Sequence, residues 1–161
     1  MGSAGPHLQI VREIDAECLL IRLDSAQRCL IEAIANLAGA IDSSCPSKRE
    51  YACAQLRLSQ AILTRRPIFD AVCDFLRGRV VSVQRDAIAE LCAADADLVA
   101  ESARHISEWT NDRIEADWSG YRLESKRMRL SLGNLIELER AVLYPLLIAA
   151  APETRFVPAR Y

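Results

Sequence analysis

The chemistry open to this chain depends on its two histidines and on the carboxylates that could join them. His105 shares a predicted helical face with Ser102 and Trp109, and Glu101 precedes it by about one turn. Because an imidazole titrates in the physiological pH range, His105 could sense protons or, with Glu139, hold a metal. We favour a structural interpretation, in which His105 is buried and hydrogen-bonded to Ser102, Glu101 or a neighbouring helix.

Glu139 is the second residue of interest, since it lies among apolar residues of a helical pattern and is predicted to point inward. An unpaired buried carboxylate is costly, so Glu139 needs a partner. The candidates are His105, an arginine such as Arg65 or Arg66, and solvent if the side chain turns outward. A buried His105–Glu139 pair is therefore one expectation among three.

An unusually aromatic stretch, EWTNDRIEADWSGY, runs from Glu108 to Tyr121 in a chain otherwise poor in aromatic residues. Trp118 and Tyr121 flank a Ser-Gly pair that predicts a turn, while Trp109 falls on the apolar face of the preceding helix. Large rings bury much area at a helix corner, and the carboxylates of this stretch fall on different faces. We therefore predict an aromatic corner of Trp109, Trp118 and Tyr121 and not a ligand site.

Other catalytic signatures are missing from the sequence. It has no Gly-rich phosphate loop and no GxSxG motif, and no two of its six cysteines are closer than eight residues. Structural zinc sites use closer cysteine pairs, so we predict buried free thiols. We expect no catalytic residues, no cofactor and no metal, and we predict that the protein is not an enzyme.

Charge and composition exclude two classes of partner. The net charge of −2 lacks the basic surface that nucleic acid requires, and no apolar run is long enough for a membrane span. We expect a cytoplasmic protein whose partner is another protein or a second copy of itself, as a possible homodimer.

Four long helical patterns position these residues. The first ends near Gly39; the second starts at Ser47, three residues before Glu50, which is a capping-box spacing. The second is predicted to bend at Pro67, the third follows Ser82, and the last starts near residue 119. Since short connections make successive helices antiparallel neighbours, we predict an all-α, up-down-up-down four-helix bundle. Its predicted bounds are 16–151, with a lead-in at 1–15 and a tail at 152–161.

The segment LIELERAVLYPLL, from Leu135 to Leu147, resembles the end of a hemerythrin-like (HHE cation-binding) domain. In that family the sequence of this helix is His, three residues, Glu-Glu, an apolar pair, an aromatic residue and Pro. Glu139 stands at the first Glu of that pattern, and Tyr144 and Pro145 stand at its end. The stretch RHISEWTNDRIEADWSGY also resembles the third helix and following turn of some bacterial members, with His105 at a histidine position.

The resemblance implies a four-helix bundle with a di-iron site of about five histidines and two carboxylates. This chain departs from that pattern, because Leu135 replaces the ligand histidine, Arg140 replaces the second Glu, and His105 is the one histidine within the predicted bundle. We therefore expect a hemerythrin-like scaffold with a degenerate metal site that acts as a regulatory, interaction or sensory module. The alternative is a residual iron-binding or oxygen-sensing protein that uses His105 and Glu139.

Overall fold

The chain is all-helical in the computed structural model, which describes residues 15–42 and 47–151 and contains no strand within those ranges. The five helices are α1 (Ala16–Asp42), α2 (Lys48–Arg77), α3 (Ser82–Glu108), α4 (Asn111–Ala116) and α5 (Trp118–Ala150). The all-α prediction is therefore confirmed. Most of the predicted lead-in, all of the predicted tail, His7 and Cys45 lie outside the described residues.

Short polar side chains fix where several helices begin. The Ser47 hydroxyl accepts a hydrogen bond from the Glu50 amide at 3.1 Å, as its spacing predicts. The Asp117 carboxylate accepts one from the Gly120 amide at 2.8 Å, and Thr110 caps the short helix α4 in the same way. These caps satisfy amide groups that a helix leaves without partners at its first turn.

Two prolines lie inside helices without ending them. Pro67 is part of α2 and Pro145 is part of α5, so the predicted second helix is continuous. A proline removes the partner of the carbonyl four residues earlier, which belongs here to Leu63 and Ala141. Both of these residues are exposed, so water can satisfy the freed carbonyl groups.

The region between α3 and α5 differs from the sequence prediction. We predicted no helix there, but residues Asn111–Ala116 form α4, which the Thr110 cap starts. The Ser119-Gly120 pair was predicted to form a turn and instead lies in the first turn of α5. The reason is Asp117, whose carboxylate cap lets the helix begin directly after it.

The four long helices share one core. Helix α1 packs mainly on α2 and also on α5, α3 packs mainly on α5, and α2 packs more sparsely on α3. Asp24 contacts Tyr144 near the end of α5, whereas Asp42 contacts Arg122 near its beginning. Leucine dominates this core, and the largest fully buried side chains include Tyr121 and Phe69. The core therefore extends from the aromatic region to the far ends of α1 and α5.

No helix in the described part of the chain is both long enough and apolar enough to cross a membrane.

Candidate functional site

Glu139 lies at the centre of a polar network inside the helical core. Its carboxylate is fully buried and accepts a hydrogen bond from Gln27 Nε2 at 2.8 Å. Arg65 Nη2 lies 3.1 Å from the second carboxylate oxygen, within ion-pair distance. This oxygen, Glu139 Oε1, has no hydrogen-bond partner among the described residues, so its contact with Arg65 Nη2 is not aligned as a hydrogen bond. The attraction between them is therefore mainly coulombic.

Arg65 joins this carboxylate to a second one. Its Nη2 also donates a hydrogen bond to Asp95 Oδ1, and both side chains are almost completely buried. The guanidinium carbon lies 5.1 Å from the centre of the Phe69 ring, close enough for a cation–π contact. One guanidinium thus lies within ion-pair distance of two buried carboxylates.

Gln27 connects the buried part of the network to the surface. Its side-chain oxygen accepts hydrogen bonds from Tyr144 Oη at 2.7 Å and from Arg140 Nε at 3.0 Å. The Tyr144 hydroxyl lies 3.1 Å from Asp24 Oδ1 as well. Each long helix therefore supplies at least one member of the network, which specifies how the four helices align.

Burial dominates the electrostatics of Glu139. Desolvation raises the pKa of its carboxyl above the usual value, although the charge of Arg65 and the hydrogen bond from Gln27 act in the opposite direction. The neighbouring Asp95 carboxylate adds to the upward shift. The protonated form of Glu139 is therefore easier to reach in the folded protein than in the unfolded chain.

The predicted pair of His105 and Glu139 is not brought together. Glu139 contacts Gln27 and Arg65, whereas the imidazole of His105 lies 5.8 Å, between ring centres, from Tyr121. The expected hydrogen bond between His105 and Ser102 is also not formed among the described residues, and the Ser102 hydroxyl instead donates to the Met128 sulfur at 3.3 Å.

His105 itself is half-buried beside the aromatic rings. Burial lowers the pKa of its imidazole, and the charges of Glu124, Glu108 and Glu101 act in the opposite direction. The neutral imidazole is therefore favoured, which suits packing against Tyr121 more than it suits a charged switch.

The aromatic corner has the rings that the sequence predicts, with one addition. The Tyr121 ring centre lies 5.4 Å from that of Trp109 and 5.8 Å from that of Trp118. Tyr51 from α2 adds an edge-on contact with Tyr121 at 5.4 Å. This arrangement closes one end of the core. The carboxylates of Glu101, Glu108, Asp117 and Glu124 line a pocket beside Trp109, but no three acidic, His or Cys side chains of the described residues are placed there to hold a metal ion.

Local sequence signals would have found only part of the polar network. Arg65 was one of the partners expected for Glu139, and Asp95 interrupts the apolar face of the third pattern. Gln27 was missed, although it stands between buried Leu23 and Leu30 on the apolar face of α1. A polar residue inside an apolar stripe is the signal that points to such a network.

Metal-binding groups do not converge in the described part of the chain, where no three His, Cys, Asp or Glu side chains are placed to hold an ion.

The described cysteines are free, but the prediction that they are buried is wrong for three of them. Cys18, Cys29 and Cys53 are exposed, whereas Cys73 is buried and Cys92 partly so. A small apolar side chain is tolerated on the outer faces of these helices as well as inside.

A groove of about 690 Å³ runs along the outer face of the α1–α2 pair. Small side chains line it, among them Ala26, Cys29, Ala33 and Ala61. Ile21 lies at one end and is 60% exposed, so an apolar side chain faces solvent at the groove.

Comparison with family models, with curated proteins and with solved structures gives no match for this chain. The resemblance to hemerythrin-like domains receives no support from these comparisons and stays a prediction.

Proposed function

We propose that the protein is a non-enzymatic helical module that acts by pairing with a second copy of itself through the α1–α2 groove. Its scaffold is proposed to be an up-down-up-down four-helix bundle, hemerythrin-like in architecture. The cross-helix contacts support this topology, since Asp24 meets Tyr144 while Asp42 meets Arg122, which is the pattern of antiparallel helices.

The polar network supports a role without a metal. A metal centre requires carboxylate oxygens that are free to bind the ion. The Glu139 and Asp95 carboxylates instead share the guanidinium of Arg65, and Gln27 donates to Glu139. A guanidinium cannot lose its proton in a protein, so it stays a competitor for these oxygens.

The groove is the observation that carries the pairing proposal. The small side chains that line it let a neighbouring helix approach closely, and Ile21 provides an apolar side chain to insert into the facing groove. Glu32 and Arg57 also line the groove, and neither forms an ion pair with another described residue. In a two-fold dimer the same patch faces itself, so Glu32 of each copy can meet a guanidinium of the other.

Light scattering after size-exclusion chromatography tests this proposal. The wild-type protein should elute as a dimer, and Ile21→Glu should elute as a monomer because it places charge in the contact. Leu130→Glu is the matched control: Leu130 is 58% exposed, close to the 60% of Ile21, but lies on α5 away from the groove. A wild-type monomer at millimolar concentration, or an Ile21→Glu dimer, would overturn the proposal.

The alternative function is a residual iron-binding or oxygen-sensing site at His105 and Glu139. It has weaker support, because Glu139 lies among Gln27 and Arg65 while His105 packs beside Tyr121. Each residue would have to exchange its neighbours for the other before the two could share an ion.

A further inference from the structure

A cavity of about 310 Å³ lies between α2, α3 and α5, where α2 packs only sparsely on α3. It is separate from the polar network and lies beside the aromatic corner. Most of its wall is apolar and comes from all four long helices, with Leu37, Leu58, Ile62, Ile106, Met128 and Leu132 among the lining residues. Ligand sites in proteins are typically such apolar spaces with a few polar groups at defined positions.

The polar side chains of the cavity carry one permanent charge, which is positive. Arg129 is the charged member, and the described residues that line the space include no Asp or Glu. Arg129 Nε donates to the Ser125 carbonyl at 3.2 Å, whereas its two terminal nitrogens have no partner among the described residues. The guanidinium is therefore fixed at one atom and free to bind an anion with the others.

Ser125 and Gln55 are two further polar residues that line the cavity, together with Ser59, Ser102 and His105. Ser125 is 2% exposed and lines the cavity, and its hydroxyl donates to no described residue. The Gln55 amide contacts the Tyr121 hydroxyl at 3.4 Å, a long hydrogen bond that a better acceptor would displace. A buried hydroxyl and an amide donor that line the same cavity as a guanidinium suit a carboxylate head group.

The volume limits the size of the apolar part. At about 30 Å³ for each water-sized group, the cavity holds roughly ten non-hydrogen atoms. A straight-chain carboxylate of about eight carbons has that size.

We propose that this cavity binds a medium-chain monocarboxylate, with the carboxylate on Arg129 and Ser125 and the hydrocarbon chain against Leu58 and Leu132. This inference goes beyond the proposed self-association and does not depend on it. The groove and the cavity lie on different parts of the molecule, so either proposal can fail alone.

Calorimetric titration with sodium octanoate tests the site, and 1-octanol is the neutral comparison. We expect saturable binding of octanoate at one site per chain, and weaker binding of octanol. Arg129→Gln should weaken octanoate binding about tenfold, since a charge-assisted hydrogen bond contributes at least the free energy of that factor. The variant should also lose the preference for octanoate over octanol.

Arg127→Gln is the matched control, because Arg127 is exposed on the same helix and does not line the cavity. It should bind octanoate as the wild type does. Ser125→Leu should block octanoate by filling the space, and its helical circular dichroism identifies a variant that has not folded. No saturable octanoate binding, equal affinity for octanol, or equal effects of Arg129→Gln and Arg127→Gln would overturn the proposal.

Discussion

Replacing Arg65 by Met removes the cation on which the interior depends. The Arg65 and Asp95 side chains are 5% and 6% exposed, and Glu139 is fully buried. Met fills a similar volume, so the cost comes from carboxylates left without a counter-charge and not from a cavity. Removing one partner of a buried ion pair destabilises a protein by about 3–5 kcal/mol.

Urea unfolding followed by circular dichroism measures this cost. With an m-value of about 2 kcal/mol per molar urea, the midpoint should fall by roughly 2 M at pH 7. The loss should be smaller at pH 5, because orphaned carboxyl groups can take up protons instead of remaining charged. Replacing Arg65, Asp95 and Glu139 together by apolar residues should recover much of the lost stability.

Arg66→Met is the control for this experiment, since Arg66 is the exposed neighbour of Arg65 on α2. It should change the free energy of unfolding by at most about 0.5 kcal/mol. If Arg65→Met also costs less than about 1 kcal/mol, the two carboxylates reach water or another cation, and the described network is incorrect.

Further predictions concern pH, helix ends and thiols. Burial raises the pKa of Glu139, so the stabilisation that its protonated form gives the folded protein is present at low pH and is lost as pH rises through the raised pKa. When unfolding is measured from pH 4 to 8, Glu139→Gln should therefore become more stable relative to the wild type as the pH increases. Gly39→Ala should raise the free energy of unfolding by about 0.5–1 kcal/mol, because its methyl group meets nothing within 4 Å. Gly120→Ala should lack this gain, because the added methyl would collide with the carboxylate that caps α5; thermal unfolding of both variants checks the difference. Burial raises the pKa of the Cys73 thiol, so a thiol reagent should modify it only on unfolding, after the exposed cysteines, as mass spectrometry of timed samples would show.

The long helices could be predicted from sequence because apolar residues recur at helical spacing over 27 to 33 residues in each. Helix α4 could not, because a single turn and a half gives no periodicity, and only its Thr110 cap indicates a start. Similarly, the Ser-Gly pair after Trp118 resembles a turn until the Asp117 cap is taken into account.

The polar network could be predicted from the sequence only in part. A buried carboxylate requires a partner, which placed Arg65 among the candidates for Glu139. Choosing between Arg65 and His105 requires the three-dimensional alignment of α2, α3 and α5, which local spacing does not contain. Gln27 lies 112 residues from Glu139 in the chain, so no sequence window could have joined them.

The central claim is that Arg65 holds the interior carboxylates and that the protein works without a metal. Metal analysis by mass spectrometry of protein purified without chelators tests this claim most directly. We predict iron and zinc well below one equivalent per chain, both in the wild type and after incubation with ferrous iron and desalting. Stoichiometric iron that is lost in Glu139→Gln would contradict the account.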